Sequence, residues 1–233
     1  MKDGLDAVFG LTNIDEKTKV KKKNIVLLGI YFFIKRLFDI VCSFIGCLFL
    51  LPVILLIKII YICSGDFNSI FYTHERIGKN DKKFKMYKFR TMYVNADEML
   101  KELLKDKRYR NEWEENFKFE NDPRVTKIGG FLRKTSIDEL PQIINILKND
   151  MSLIGPRPMT KVEVDAYGKN KMKLLSVKPG LTGWWACNGR SDTTARERKK
   201  LELYYVDNCS LWLDIKILFK TVIVVLNFLT FLL

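Results

Sequence analysis

The chain has 233 residues, 48% of them hydrophobic, and its 40 Lys and Arg against 27 Asp and Glu give a formal net charge of +13. That length suits one domain with an appendage and a real core. The positive excess points to an anionic partner: nucleic acid, an anionic membrane surface or a phosphorylated substrate. The cysteines, Cys42, Cys47, Cys63, Cys187 and Cys209, are odd in number and include no CxxC pair, which argues against a disulfide framework or a zinc site.

A lysine-rich run at 17–23 leads into the apolar stretch 25–34. The stretch is too short to span a bilayer and reads as an interfacial segment held by anionic lipid, with a disordered tail as the alternative. Residues 40–57 carry no charged side chain, about the minimum of ~18 for a membrane-spanning helix. The long segment before them and the lack of a small-residue cleavage site argue against a signal peptide. An ordinary transmembrane helix is one reading. Pro52 opposes it, because proline lacks an N–H and crowds the preceding turn. Lys35 and Arg36 before the stretch and Lys58 after it favour the cytoplasmic side at both ends. The sequence therefore predicts a re-entrant helix-break-helix turning at Pro52, with Arg36 and Asp39 paired across three residues.

Next, 69–73 and 84–90 alternate apolar and polar positions about Gly78-Lys79-Asn80-Asp81, which predicts two strands and a turn. The charge-rich 96–119 segment, with Leu100, Leu103, Leu104 and Trp113 at helical spacing, predicts a solvent-facing helix. Thr135-Ser136-Ile137-Asp138-Glu139-Leu140-Pro141-Gln142 begins another helix. Ser136 and Glu139 fit a capping box, whose side chains satisfy backbone donors and do no chemistry. The competing reading puts Asp138 and Glu139 at the positive end of a helix, where a phosphate also binds. Residues 178–183 read as a glycine-bearing loop suited to close approach by a ligand. Residues 215–233, apolar apart from Lys216 and Lys220, read as membrane-associated.

Adjacent carboxylates backed by Arg157, which Pro156 and Pro158 flank, are the parts needed to attack a phosphate. A carboxylate is ionised near neutral pH and forms an acyl phosphate able to pass its group onward. The arginine fork matches phosphate oxygens at any relevant pH. Arg133, shortly before Asp138, is a weaker addition to the phosphate-binding set. His74, the sole histidine, reads as structural because no second ligand stands at metal-binding spacing. A nucleic-acid-binding module accounts for the charge and for neither the membrane segment nor the acid pair.

Lys35-Arg36-Leu37-Phe38-Asp39, Tyr87-Lys88-Phe89-Arg90-Thr91-Met92, Ser136-Ile137-Asp138-Glu139-Leu140-Pro141-Gln142, Ser152-Leu153-Ile154-Gly155-Pro156-Arg157-Pro158 and Lys178-Pro179-Gly180-Leu181-Thr182-Gly183 together resemble the bacterial sugar transferases called monotopic phosphoglycosyl transferases. The resemblance runs in order from about Lys35 to Leu226. It implies transfer of a sugar 1-phosphate from a UDP-sugar to polyprenyl (undecaprenyl) phosphate with release of UMP. By the same resemblance Asp138 is the nucleophile, Glu139 helps place Mg²⁺, and Lys88, Arg157 and Asp214 are functional positions. With a UDP-sugar as donor, Trp184-Trp185 suits either stacking on a uracil ring or a place at the membrane interface. Gly189-Arg190-Ser191-Asp192, Leu203-Tyr204-Tyr205-Val206 and 210–216 look like family members acting on UDP-hexoses.

The expected fold is a mostly helical α/β arrangement with a short hairpin or small sheet on the broken membrane helix and interfacial helices. Its expected divisions are a basic tail and interfacial segment at 1–34, the re-entrant helix at 35–63, a cytoplasmic catalytic domain at 64–214 and an apolar helix at 215–233. The expected place is the cytoplasmic face of the bacterial inner membrane, on anionic lipid, with no nucleic acid and with a homodimer left open. Leu51, His74 and Ala186 depart from the family pattern, where serine, glutamine and glutamine are usual, and leave room for a catalytically inactive scaffold.

Overall fold

The computed structural model describes residues 25–116, 119–189 and 193–232. The lysine run at 17–23 and the Arg190-Ser191-Asp192 part of its motif lie outside them. Helix α1 runs over Ile25–Cys63. Strands β1 (Phe71–Ile77) and β2 (Lys83–Phe89) pair in a two-stranded sheet, joined through a 3-10 turn at Lys79–Asp81 where Asn80 and Asp81 take positive φ. Then come α2 (Ala96–Leu103), α3 (Lys107–Asn116), α4 (Lys127–Lys134), a 3-10 turn at Ile137–Glu139 and α5 (Gln142–Leu147). Strand β3 (Ser152–Ile154), α6 (Lys161–Asp165), α7 (Lys171–Leu174), β4 (Gly180–Thr182), α8 (Ala195–Asn208) and α9 (Leu211–Leu232) complete the chain. The architecture is mostly helical with two small sheets.

Two expectations about helices change. Helix α1 continues through Pro52 without a gap, and residues 25–34 belong to it rather than to a separate interfacial element. Proline removes one hydrogen bond, whereas the Leu and Ile runs on both sides keep every other turn bonded. At about 1.5 Å per residue, its 39 residues trace roughly 58 Å of helical path, about twice a ~30 Å hydrocarbon core. The single helix expected over 96–119 is two, because the Asp106 carboxylate accepts the Arg108 N–H at 2.8 Å and starts a new helix there.

The chain divides into two compact units. The larger contains residues up to Cys47, His74–Met86 and everything from Gln142 onward. Its core has three clusters: Tyr31 with Ile154, Tyr205, Cys209, Leu213 and Ile217; Ile77 with Met159, Val164, Tyr167, Leu174 and Leu175; and Phe84 with Met86, Ile146 and Met151. Strands β3 and β4 pair in parallel, Ser152 opposite Gly180 and Ile154 opposite Thr182. Here the expected ligand loop becomes part of the frame. A Cβ on Gly155, Gly180 or Gly183 would overlap the facing protein backbone, so these glycines serve strand-to-strand approach. Arg36 and Asp39 do not pair with each other. Arg36 donates to the Ile146 and Leu147 carbonyls at 2.7 and 3.1 Å, satisfying the end of α5. Asp39 accepts from the Leu153 N–H and the Ser152 hydroxyl at 2.9 and 3.1 Å, fixing β3.

The smaller unit contains Leu48–Thr73 and Tyr87–Pro141. Arg90 organises it. Its guanidinium bonds Asp66 at 2.8 Å and the Ser69 carbonyl at 2.7 Å and lies over the Tyr61 ring, while the Tyr61 hydroxyl donates to the Arg90 carbonyl. Arg124, paired with Asp122 at 2.7 Å, packs on Trp113 and Phe119, so Trp113 belongs to this stack.

Candidate active site

Helix α4 approaches the segment after β2 so closely that only glycine fits at position 129, where a Cβ would run into the Thr91 backbone. Thr126 caps α4 by accepting the Gly129 N–H at 2.9 Å, and its own N–H donates to the Thr91 carbonyl at 3.1 Å. In the last turn of α4, Arg133 Nε donates to Thr91 Oγ1 at 2.9 Å. The chain then reverses at Ser136, with φ 58 and ψ 15. Of the described non-glycine residues with positive φ, Ser136 alone is neither Asn nor Asp, the types that tolerate this region best.

That conformation overturns the capping-box reading. An N-cap needs extended backbone, and Ser136 makes no side-chain capping bond here. Capping boxes form instead at Thr160 with Glu163 and Thr194 with Glu197. The acid pair sits on a 3-10 turn rather than inside a regular helix, and α5 is short, so the helix-dipole argument carries no weight. Local placement of the side chains does. Lys88 Nζ lies 2.9 Å from Glu139 Oε1 and 3.4 Å from Asp138 Oδ2.

Asp138 is only 8% exposed. Burial raises its pKa above the usual carboxylate range, and the Glu139 charge acts in the same direction, while Lys88 and Arg133 oppose it. The result is a carboxylate stripped of most of its water beside a lysine it shares with its neighbour. Such a group can act as a nucleophile toward a phosphorus centre whose oxygens the cations hold. Among the described residues no cluster of three or more His, Cys, Asp and Glu is arranged for an ion. Two adjacent carboxylates nevertheless fit Mg²⁺, which takes hard oxygen donors, keeps several waters and completes its shell with substrate phosphates.

The smaller unit thus brings Lys88, Asp138 and Glu139 together, with Arg133 in electrostatic range. Arg157 and Asp214 belong to the larger unit and do not bond each other. Asp214, 5% exposed, accepts from the Tyr205 hydroxyl at 2.8 Å, the Tyr31 hydroxyl at 2.9 Å and the Lys35 ammonium at 2.8 Å, tying α1, α8 and α9 together. Arg157 stands over the Trp185 ring at 5.7 Å, and Arg198 does so at 4.8 Å. Trp184 stacks on Tyr204 and faces the Lys216 and Lys220 ammoniums. Both indoles already have protein partners, which weakens the uracil-stacking reading. Sequence reasoning missed Glu202, whose carboxylate accepts the Arg157 N–H at 3.2 Å. The available signal was spacing: Glu202 and Tyr205, three residues apart, share the core-facing stripe of α8.

Residues 30–228 match the family model described as bacterial sugar transferase. The chain is 48% identical, over 84% of its length, to the undecaprenyl-phosphate galactose phosphotransferase of Salmonella typhimurium, and 46% identical over 84% to the UDP-galactose-lipid carrier transferase of Erwinia amylovora. It covers 41% of each, so it spans about two fifths of those relatives. The exopolysaccharide production protein ExoY of Rhizobium meliloti is 42% identical over 81% of this chain and 83% of its own length. With most of its length inside the family model, and the acid pair and the Pro-Arg-Pro turn both in that span, this chain belongs to the bacterial sugar transferase family.

Proposed function

We propose that this protein moves a sugar 1-phosphate from a UDP-sugar, of the UDP-hexose class, to polyprenyl (undecaprenyl) phosphate, the first membrane step of polysaccharide or glycoconjugate synthesis. The observation that carries the reading is the Lys88-Asp138-Glu139 cluster: a desolvated carboxylate against a cation, in a chain whose relatives bear names of undecaprenyl-phosphate and UDP-galactose-lipid transferases. In the first half-reaction an Asp138 oxygen bonds to the sugar-bearing phosphorus as the diphosphate P–O bond breaks, and UMP leaves with that electron pair. In the second, an oxygen of the acceptor phosphate bonds to the same phosphorus and Asp138 departs as carboxylate. Lys88 and Arg133 oppose the burial that raises the Asp138 pKa. Arg157 supplies a planar fork for phosphate oxygens. Asp138 and Glu139 would hold Mg²⁺, which would supply neutralisation of phosphate charge. Purified full-length protein given UDP-hexoses, undecaprenyl phosphate and Mg²⁺ is expected to release UMP and to carry a phosphosugar adduct on Asp138 by mass spectrometry. Undiminished turnover in Asp138→Asn would overturn this.

The proposed setting is the cytoplasmic face of the bacterial inner membrane, with the continuous helix α1 bent at Pro52 so that both its ends lie on that face. Two observations support it. On one side of Pro52, Arg36 and Asp39 bond residues beyond the helix; on the other, Lys58 donates to the Phe67 and Asn68 carbonyls and Tyr61 to that of Arg90. Between them Phe44, Leu48, Phe49, Leu51, Leu55 and Leu56 are exposed, an apolar surface suited to lipid. Single-cysteine labels at the two ends of α1 should be accessible from the same face; labelling from opposite faces would sink the topology.

A further inference from the structure

Backbone bonds anchor the Gly155-Pro156-Arg157-Pro158 segment and the residue after it. Gly155 N–H donates to the Thr182 carbonyl at 2.9 Å, the Pro156 carbonyl accepts from Gly180 N–H at 2.8 Å, and the Met159 carbonyl accepts from Ile77 N–H at 2.9 Å. Proline has no N–H, so residues 156–158 offer one backbone donor between them, that of Arg157. That donor goes to Glu202 Oε1. Glu202 is 1% exposed, and its other oxygen, Oε2, is buried without a hydrogen-bond partner among the described residues. Arg198, on the same helix, is in range, yet its salt bridge goes to Glu163 at 3.5 Å, while its Nε and Nη2 are buried without a hydrogen-bond partner among the described residues. A fold seeking stability alone would do as well with an apolar side chain at 202, since an incompletely paired buried acid is costly.

We propose that Glu202 is a positioning residue for Arg157: it takes the sole N–H of the Pro-Arg-Pro turn and so sets where the guanidinium, steadied on Trp185, meets the donor's phosphates. This rests on the proposed reading of Arg157 as a phosphate contact. Burial pushes the Glu202 carboxyl up to about 7, against the Arg157 N–H and the charges of Arg198 and Arg157, so the acceptor role does not require a full negative charge. Tyr167 also faces it electrostatically. Glutamine should therefore replace it and methionine should not.

The experiment uses full-length protein in lipid nanodiscs with the UDP-hexose that gives most UMP. Glu202→Met fills similar space without an acceptor. It should speed hydrogen exchange at the Arg157 amide by about 10-fold or more and raise donor KM about 10-fold, with kcat much less affected. Glu202→Gln should restore most of both. Unchanged exchange in Glu202→Met, faster exchange without a KM rise, or Glu202→Gln behaving as Glu202→Met would each overturn the proposal. Should Glu202→Met fail to fold, Glu202→Gln decides: near wild-type exchange and KM support it, loss of either defeats it. If the wild type releases no UMP, the phosphate-contact reading fails and the positioning role falls with it, while faster exchange in Glu202→Met would still mark the bond as real.

Discussion

Asp138 in the smaller unit and Asp214 in the larger are nearly equally hidden, 8% and 5% exposed, but they are furnished differently. Asp214 has two tyrosine hydroxyls and a lysine on its two oxygens. Asp138 shares a single lysine with Glu139, and its pKa is raised. Burial alone therefore does not mark a functional acid; what separates the two is how completely the surroundings meet the charge. Asp214 brackets three helices, whereas Asp138 has the sparser set of partners that the proposed nucleophile requires.

The sharpest way to break this contrast is Asp138→Asn. Turnover should fall by about 10³-fold or more, read as UMP release, while thermal stability rises. The sign follows from the raised pKa. The stability associated with Asp138 is fully present below its unfolded pKa and is lost as pH rises through the folded value, so above that value the ionised group opposes folding and its amide does not. Asp214→Asn should do the opposite. Breaking a buried charged cluster costs about 3–5 kcal/mol, seen as a lower denaturation midpoint, and lost activity should track lost folded protein. Lys88→Met sharpens the contrast further, since it removes the main cationic pull on Asp138. Rate should drop by about 10²-fold, and the acid limb of the pH–rate profile should move to higher pH. In the wild type that limb should already lie above the ordinary aspartate range. The mildest intervention is chelation. EDTA should stop turnover and added Mg²⁺ should restore it, with no change in circular dichroism; full activity in EDTA would remove the metal from the proposal.

Much of this could be read from the residues. The hairpin was legible from the runs at 69–73 and 84–90 about a Gly-Lys-Asn-Asp turn, although β1 lies further along than expected, ending at Ile77. The acid pair and Pro-Arg-Pro were legible because their chemistry is local. What escaped depended on partners far along the chain. Three-residue strands such as β3 and β4 are too short to show a period, so Gly180 read as loop although it lies against Gly155. Ser136 and Glu139 had the right types and spacing for a capping box, and only the reversal at φ 58 withdrew it. Arg36 and Asp39 were correctly spaced to pair, but tertiary structure offered each a better partner in α5 and β3. Glu202 looked like one more charge on a charged helix, and its core-facing stripe was the clue passed over.

Pro52 has one remaining consequence. It cannot return a hydrogen to the Leu48 carbonyl, the acceptor one turn earlier, although the helix goes on past it. In pure hydrocarbon such an oxygen would be stranded at a cost of several kcal/mol. It is better placed at a level that glycerol backbones or a few waters reach. In the proposed same-face topology α1 would form a shallow wedge in a single leaflet, and depth-dependent quenching of a fluorophore at position 49 should find the label well above the bilayer midplane.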